Sequence, residues 1–294
     1  EELDLYEATA YLPINLHASN QNLIVAVHNS LVPAKIIGFN AEDSRGTASS
    51  RWPLEKILKN GYGIATFYYG DLDPDYDDGF QNGIHPLFYK KNQNYPKPNE
   101  WGAISAWASG LSYCLDYFIQ DKDIDSKRVA VFGLSRLGKA ALWASALDER
   151  FALAISGNSG HGGASLWRRK IGESLYSMNI RIPHWLCQNS QQFNHQEEKL
   201  PFDQHTLLSL IAPRPLLIAS AATDHLADPI GEFYGAKHAS KIYDFLKVEG
   251  LGASKMPELG EFINTRIGYF IRTGKHDITE VDWDKFILFA NKYL

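Results

Sequence analysis

Short apolar segments alternate with longer amphipathic segments along the chain, which is the pattern of β-strands alternating with α-helices. Six apolar segments are predicted to be strands: 23–27, 62–69, 128–132, 151–156, 215–221 and 267–273. Helices are predicted over 52–60, 101–119, 228–246 and 282–293, with a further helix from Lys139 onwards. This alternation is typical of a mostly parallel sheet with helices packed on both faces. The chain is therefore predicted to be an α/β three-layer sandwich.

Residues 70–100 form a long polar, aromatic and proline-containing stretch between a predicted strand and a predicted helix. Such a stretch in a compact domain is usually functional, so an insertion near the active site is predicted. Its aromatic side chains either line a cleft or pack the loop, and both interpretations stay open: Tyr68, Tyr69, Tyr76, Phe80, Phe88 and Tyr89. Its acidic residues suggest a calcium loop: Asp71, Asp73, Asp75, Asp77 and Asp78. Tyr76 occupies the position of the EF-hand glycine, however, so a solvated loop is favoured.

Length and charge limit the classes of function. The 294 residues are 45% hydrophobic and carry a formal net charge of −5, which predicts one large domain over 1–294 and argues against nucleic-acid binding. No apolar run reaches the roughly 18 residues of a membrane span. The first residues lack the basic and apolar regions of a signal peptide. Cys114 and Cys187 are predicted to be unpaired, buried thiols.

Residues 129–139 read Val-Ala-Val-Phe-Gly-Leu-Ser-Arg-Leu-Gly-Lys, in which a strand pattern changes to a helix pattern at Ser135. Such a strand–turn–helix is typical of the nucleophile elbow, whose sharp turn projects a serine hydroxyl. Gly133 lies two residues before Ser135, but Gly138 lies three residues after it, so the Gly-x-Ser-x-Gly pattern is broken. Ser135 is predicted to be a nucleophile. The alternative is an ordinary loop whose serine caps the helix.

Two later loops supply the other candidates for a catalytic triad. In the α/β-hydrolase fold the serine is followed along the chain by an acid and then by a histidine, each after a strand. Asp224 follows the strand 215–221, and His276 follows the strand 267–273. An α/β-hydrolase is therefore predicted, with His276 as general base and Asp224 as the acid that orients it. Asp228 is the rival acid, but its place before a proline at a helix start favours a capping role.

Several sequence blocks occur in the same order as in a known enzyme family. They are 101–107 (WGAISAW), 133–139 (GLSRLGK), 159–164 (SGHGGA), 201–205 (PFDQH), 212–215 (APRP), 227–233 (ADPIGEF) and 274–276 (GKH) with 282–283 (DW). Together they resemble the bacterial glucuronoyl esterases, the fifteenth family of carbohydrate esterases. The resemblance runs from about residue 60 to the C-terminus. Residues 1–30 match only loosely, and the family's N-terminal region is expected to be shortened here.

The resemblance implies hydrolysis of the ester between (4-O-methyl-)glucuronic acid on xylan and an alcohol, which in plant cell walls is a lignin alcohol. By position, it implies Ser135 as the nucleophile, His276 as the general base and Arg136 as a cation beside the oxyanion. A positioned cation contributes most where negative charge develops. Lys139 and Glu173 match family residues that bind sugar hydroxyls. The implied mechanism is a two-step acyl transfer.

Three positions depart from the family pattern. Asn158 stands where many members carry the catalytic acid, so that role is expected to fall on Asp224. Leu226 stands where an aromatic residue often packs against the sugar, which is expected to weaken or change glycan binding. Phe270 replaces a common histidine and is interpreted as a packing change. Trp185 is interpreted as a core residue or as a wall of the substrate pocket.

No metal and no cofactor are expected. His184 and His205 could suggest zinc, but no helical His-x-x-x-His or cysteine pair supports such a site. The expected partner is glucuronoxylan or a glucuronate ester, bound by a secreted or periplasmic monomer that contacts no membrane and no nucleic acid. Two alternatives stay open: another serine carbohydrate esterase, such as an acetyl-xylan esterase, and a non-catalytic glycan-binding homologue.

Overall fold

The computed structural model describes residues 21–28 and 49–294, and a seven-stranded sheet lies at its centre. The strands are β1 (Gln21–His28), β2 (Tyr62–Tyr68), β3 (Ile124–Leu134), β4 (Leu153–Gly157), β5 (Leu216–Ala221), β6 (Phe262–Ile263) and β7 (Ile267–Arg272). Their order across the sheet is β2-β1-β3-β4-β5-β7-β6. Neighbouring strands run parallel, except that β6 pairs antiparallel with β7 at one edge. The predicted parallel α/β architecture is therefore confirmed.

Seven α-helices connect or flank these strands in the described ranges. They are α1 (Leu54–Lys59), α2 (Ala103–Phe118), α3 (Arg136–Leu147), α4 (Leu175–Arg181), α5 (Gln204–Ser209), α6 (Pro229–Phe245) and α7 (Glu280–Tyr293). All the predicted helices are present, with ends within a few residues of the prediction. The sequence pattern does not predict α4, α5 or β6, which are elements of seven, six and two residues.

Two hydrophobic layers hold the helices to opposite faces of the sheet. Successive residues of β3 alternate between them: Val129 and Val131 belong to one layer, and Ala130 and Phe132 to the other. The first layer contains apolar side chains of α2, α3 and α6, and the second contains those of α1 and α7. Trp283 of α7 is fully buried in the second layer, and complete burial of one large apolar side chain contributes about 1.5–3 kcal/mol.

The carboxyl ends of the parallel strands meet at one edge of the sheet. β3 ends directly before Ser135, β4 ends before Asn158, and Asp224 and His276 follow β5 and β7. Loops at the carboxyl ends of parallel strands are the usual position of ligand sites in open α/β sheets. The topology therefore directs the predicted catalytic residues to a common region.

Several lesser predictions can be compared with the structure. Phe270 is fully buried in β7, and its ring packs edge-on against Phe262 at 6.2 Å between centroids, which agrees with a packing change. Cys114 and Cys187 are free thiols but only partly buried. Within the described residues, no helix is both long and apolar enough to cross a membrane.

Candidate active site

Ser135 occupies the sharp turn between β3 and α3. Its backbone angles are φ 60° and ψ −126°, a strained conformation for a residue other than glycine. A Cβ atom on Gly133 would lie 1.9 Å from the carbonyl oxygen of Leu137, so only glycine fits at that position. The N–H of Ser135 donates to the carbonyl of Gly157 at 2.8 Å. The side chain of Ser135 makes no capping hydrogen bond to α3 in the described structure, which disfavours the alternative of a capping serine.

His276 and Asp224 lie in direct contact. Nδ1 of His276 is 2.5 Å from Oδ2 of Asp224, whose side chain is buried, whereas the His276 side chain is 42% exposed. A carboxylate at Nδ1 favours the tautomer with the proton on that nitrogen, which leaves Nε2 free to accept a proton. No hydrogen bond joins the imidazole to Ser135 Oγ within 49–294. Catalytic hydrogen bonds often tighten only when substrate binds.

Asp228, the rival acid, forms a different contact. Its carboxylate accepts hydrogen bonds from Arg169 Nε at 2.7 Å and Nη2 at 3.2 Å, and from Ser165 Oγ at 3.3 Å. It precedes α6 as predicted, but its side chain does not cap that helix, so the predicted capping role is wrong. The buried ion pair with Arg169 uses the carboxylate instead.

Asn158 follows β4 with a positive φ of 44°, and its side chain is buried. Its Nδ2 atom has no hydrogen-bond partner among the described residues. An amide at this position supplies no negative charge, whereas Asp224 already contacts the imidazole. The geometry is therefore consistent with an acid on the loop after β5.

Arg136, the first residue of α3, is held by Asp75 of the 70–100 insertion. Arg136 Nη1 donates to Asp75 Oδ2, and the guanidinium lies 5.1 Å from the centroid of the Trp185 ring. Asp75 also accepts from the Trp185 Nε1 at 2.7 Å, from the Tyr69 hydroxyl at 3.0 Å and from His184 Nε2 at 3.1 Å. Four donors, from three parts of the chain, thus converge on one carboxylate.

The Asp75 carboxylate stays ionised although its side chain is only 7% exposed. Burial alone would raise the pKa of Asp75, but the hydrogen bond from His184 and the charge of Arg136 outweigh it and hold the pKa at about 2. The prediction of a solvated acidic loop is therefore wrong at this position. The sequence analysis did not identify Asp75 as a site residue.

Asp73 is likewise buried, where it anchors the insertion. Its Oδ1 lies 3.0 Å from His85 Nδ1, and the His85 ring stacks on Trp101 with 4.0 Å between centroids. Phe80 packs against the same imidazole at 4.3 Å, which favours the packing interpretation for that aromatic residue. Phe88 remains more than half exposed beside Trp101. Since Asp73 is engaged by His85, the solvated-loop prediction is also wrong here.

Lys139 lies one turn after Ser135 and is 4% exposed. Its Nζ donates to the carbonyls of Ser159 at 2.5 Å and His161 at 2.7 Å. Burial lowers the pKa of Lys139 to about 8. An ammonium has three donors, so one remains for a ligand.

Glu173 and Leu226 lie on two neighbouring loops. The N–H of Glu173 donates to the carbonyl of Leu226 at 3.2 Å, and the Glu173 carboxylate accepts from Arg181 Nη2. Leu226 is 66% exposed, so its side chain is available at the surface beside Glu173. Trp185 is instead buried in the first hydrophobic layer, which agrees with the interpretation as a core residue, and its ring centroid lies 5.1 Å from the Arg136 guanidinium and 5.8 Å from Lys139 Nζ.

Comparison with known proteins identifies the family. Residues 54–247 match the family described as glucuronyl esterase of fungi. The chain belongs to the glucuronoyl esterase family. A relative named carbohydrate esterase MZ0003, from an unknown prokaryotic organism, is 52% identical over 253 residues. The match covers 86% of this chain and 58% of that relative, so the chain spans less than two thirds of the relative's length.

Solved structures support the same assignment. A glucuronoyl esterase from Solibacter usitatus is 43% identical with a TM-score of 0.87, and the match covers 93% of this chain and 74% of that one. A CE15 esterase from a marine bacterial metagenome, described as promiscuous, is 44% identical with a TM-score of 0.85, covering 95% and 75%. The predicted family resemblance and the α/β-hydrolase fold are confirmed.

This glucuronoyl esterase homologue has a further buried carboxyl group near the site that the sequence analysis did not assign. Glu232 of α6 is fully buried and accepts from the Ser220 hydroxyl at 2.6 Å and from the Gly160 N–H at 2.9 Å. Burial raises the pKa of Glu232 to about 7. The burial of Glu232 could have been predicted from the residue spacing. Glu232 lies on one face of α6 with Gly235, Ala236 and Ala239, at positions i, i+3, i+4 and i+7, and all four residues are buried.

The two histidines considered as zinc ligands have other neighbours in this family member. His184 contacts Asp75, and the His205 ring lies 5.8 Å from the His238 ring. Over the described ranges, no group of three or more His, Cys, Asp or Glu residues is arranged to hold a metal ion.

Proposed function

We propose that the chain is a serine esterase that hydrolyses the ester of (4-O-methyl-)glucuronic acid in glucuronoxylan. Membership of the family supports the substrate class. Relatives such as the protein from Phanerochaete chrysosporium, 32% identical over 180 residues, are named 4-O-methyl-glucuronoyl methylesterase. The observation that carries the proposal is the Asp224–His276 contact at the same sheet edge as the strained Ser135 turn.

The first step is acylation of the enzyme. His276 Nε2 accepts the proton of the Ser135 hydroxyl as Oγ attacks the ester carbonyl, and Asp224 stabilises the imidazolium that forms. The carbonyl oxygen becomes an oxyanion, which accepts hydrogen bonds from the Arg136 guanidinium and from the Arg136 N–H, the residue after the nucleophile. The tetrahedral intermediate collapses, the carbon–oxygen bond to the alcohol breaks, and His276 returns its proton to the leaving oxygen.

The second step releases the acid. His276 removes a proton from a water molecule, which attacks the acyl carbon, and collapse of this intermediate returns the proton to Ser135 Oγ. The products are glucuronate and regenerated enzyme. Lys139 and Glu173 bind the sugar hydroxyls in this proposal, with Lys139 using the donor that its two carbonyl contacts leave available. Trp185 forms the wall of the pocket, and Leu226 lies at its rim.

Hydrolysis of benzyl glucuronate tests the proposal directly. We expect turnover by the wild type and a loss of about 10³-fold or more in kcat for Ser135→Ala, with unchanged thermal stability. Binding of glucuronoxylan without an acyl-enzyme burst on any glucuronate ester would favour the non-catalytic glycan-binding alternative. Export to the periplasm or beyond the cell, and action as a monomer, are part of the proposal because the polymer substrate lies outside the cell.

A second ester class is worth measuring because one solved relative is described as promiscuous. In acetylated xylose the acyl group is acetyl, and the sugar belongs to the leaving alcohol. The acyl group therefore has no sugar hydroxyls for the contacts proposed for Lys139 and Glu173. We expect kcat/KM for methyl glucuronate to exceed that for acetylated xylose. The opposite ranking would favour an acetyl-xylan esterase.

A further inference from the structure

The proposed reaction converts a neutral ester into a carboxylate, and this inference rests on that proposed function. A guanidinium placed beside the reacting carbonyl is well suited to bind a carboxylate through paired hydrogen bonds. Without a negative charge beside it, Arg136 would therefore bind the carboxylate product more strongly than the neutral ester substrate. Efficient turnover requires the site to stabilise the oxyanion without holding the released acid.

Asp75 supplies a fixed negative charge beside Arg136. Its carboxylate is buried, contacts Arg136 Nη1 directly, and is held in place by three further donors, from Tyr69, His184 and Trp185. The Arg136 side chain is 36% exposed, and its buried Nε has no hydrogen-bond partner in the described part of the chain. Asp75 thus engages Nη1, and the exposed part of the guanidinium is left for the oxyanion.

The second cation of the site is held differently, by neutral acceptors. Lys139 Nζ donates to the backbone carbonyls of Ser159 and His161. Coulomb attraction acts over several ångströms, whereas a hydrogen bond needs contact and alignment. Pairing Arg136 with Asp75 therefore reduces the attraction of the guanidinium for any free anion but keeps short-range donors for an oxygen held in position.

We infer that Asp75 is a positioning residue that fixes the Arg136 guanidinium and cancels its charge, so that the carboxylate product leaves the site. Asp75 reaches the oxyanion through Arg136, and its removal has two distinct consequences. The guanidinium loses its fixed orientation, which lowers kcat. The site also gains one positive charge, which strengthens binding of glucuronate.

The test is Asp75→Asn, which keeps an acceptor oxygen and removes the charge. We expect glucuronate to bind about tenfold more tightly or better than to wild type in calorimetry at pH 7, together with a lower kcat on benzyl glucuronate. Asp73→Asn is the matched control: it removes a buried carboxylate of the same insertion that contacts His85 rather than Arg136. It should leave glucuronate affinity unchanged. Equal glucuronate affinity in Asp75→Asn and wild type would overturn the inference.

A second measurement keeps the test valid if Asp75→Asn does not fold. In Ser135→Ala, which cannot form an acyl-enzyme, the dissociation constants of glucuronate and methyl glucuronate should agree within about tenfold. Glucuronate binding more than tenfold tighter than the ester would contradict charge cancellation. Failure of the proposed function would be observed separately. In that case the wild type would hydrolyse no glucuronate ester, whatever dissociation constants are measured for glucuronate and methyl glucuronate.

Discussion

Asp224 and His276 are 52 residues apart in the sequence, and a hydrogen bond of 2.5 Å joins Asp224 Oδ2 to His276 Nδ1. The contact sets the imidazole tautomer and stabilises the imidazolium in the transition state. We expect Asp224→Asn to lower kcat on benzyl glucuronate by about 10³–10⁴-fold, because the amide favours the wrong tautomer. Steady-state kinetics at pH 7 measure the loss.

Asp228→Asn is the matched control for that variant. Asp228 is buried in the same loop region, but its carboxylate contacts Arg169 rather than the imidazole. We expect most of the wild-type kcat to remain, with a loss of stability on the order of 2 kcal/mol, because the substitution leaves Arg169 without its counter-charge. Urea unfolding measures the stability. If Asp228→Asn loses more activity than Asp224→Asn, the assignment of the acid is wrong.

Arg136→Gln tests the oxyanion contact. Loss of one preorganised donor to an oxyanion lowers kcat by about 10²–10³-fold, and we expect a loss of that size here. The substitution also leaves Asp75 as a buried carboxylate without its cation, so the protein should lose stability. In Asp75→Asn/Arg136→Gln the buried charge is gone. Its melting temperature should therefore recover while kcat stays low, and recovery of kcat would contradict a direct role of Arg136.

Gly133→Ala tests the geometry of the turn. The new Cβ would lie 1.9 Å from the Leu137 carbonyl oxygen, so the backbone around Ser135 must move. We expect activity to be lost and stability to fall by several kcal/mol, well above the about 1 kcal/mol of a simple glycine effect. Gly61→Ala is the control for backbone strain alone, since Gly61 has a φ of 83° but nothing lies within 4 Å of its added Cβ. Equal destabilisation by the two variants would contradict the steric argument.

Glu232→Gln should change how stability depends on pH. The pKa of Glu232 is about 7 in the folded protein and 4.5 for an unperturbed carboxyl. Its contribution to stability is therefore complete below about pH 4.5 and is lost as the pH rises through about 7. Gln cannot ionise, so we expect the variant to gain up to about 3 kcal/mol on wild type between pH 5 and pH 8. Urea unfolding at pH 5 and pH 8 measures the free energy of unfolding of both proteins. If the difference between variant and wild type is the same at both pH values, the prediction is wrong.

Leu226→Trp restores an aromatic face at the rim of the site. The side chain is well exposed, and its backbone carbonyl contacts the Glu173 N–H, so a larger side chain fits without disturbing the core. Packing between two aromatic rings contributes about 0.5–1.5 kcal/mol, and from a ring–sugar contact of similar strength we expect a two- to tenfold lower KM for glucuronoxylan oligosaccharide esters. KM for benzyl glucuronate, which lacks the xylan chain, is the comparison. A higher KM on both substrates would indicate a steric clash.

The long elements and the turn at Ser135 could be predicted because their signals are local. β3 contains a continuous apolar run, α3 follows with a helical pattern, and the Gly133–Ser135 pattern between them marks the change from strand to helix. The chain order of Ser135, Asp224 and His276 then follows from the topology of a parallel sheet. α4, α5 and β6 were missed, because elements this short could be predicted only where a continuous apolar run, as in β5, or a glycine just past the last residue, as in α1, marked them.

The environment of Asp75 could not be predicted in this way. Its partners Arg136 and Trp185 lie 61 and 110 residues further along the chain, and neither spacing reflects a local pattern. An acidic residue in a polar loop is usually solvated, and only tertiary packing makes this one a buried ion-pair partner. Glu232 differs, since its place on the small-residue face of α6 is visible in the sequence.

The buried Asp73–His85 pair has a consequence for how specificity could be altered. It ties the insertion to Trp101 at the start of α2, and the same insertion delivers the carboxylate that orients Arg136. Grafting or shortening 70–100 would therefore disturb the chemistry together with the substrate preference. The Leu226 side chain is 66% exposed, so directed evolution toward new sugar or alcohol groups should begin with that side chain.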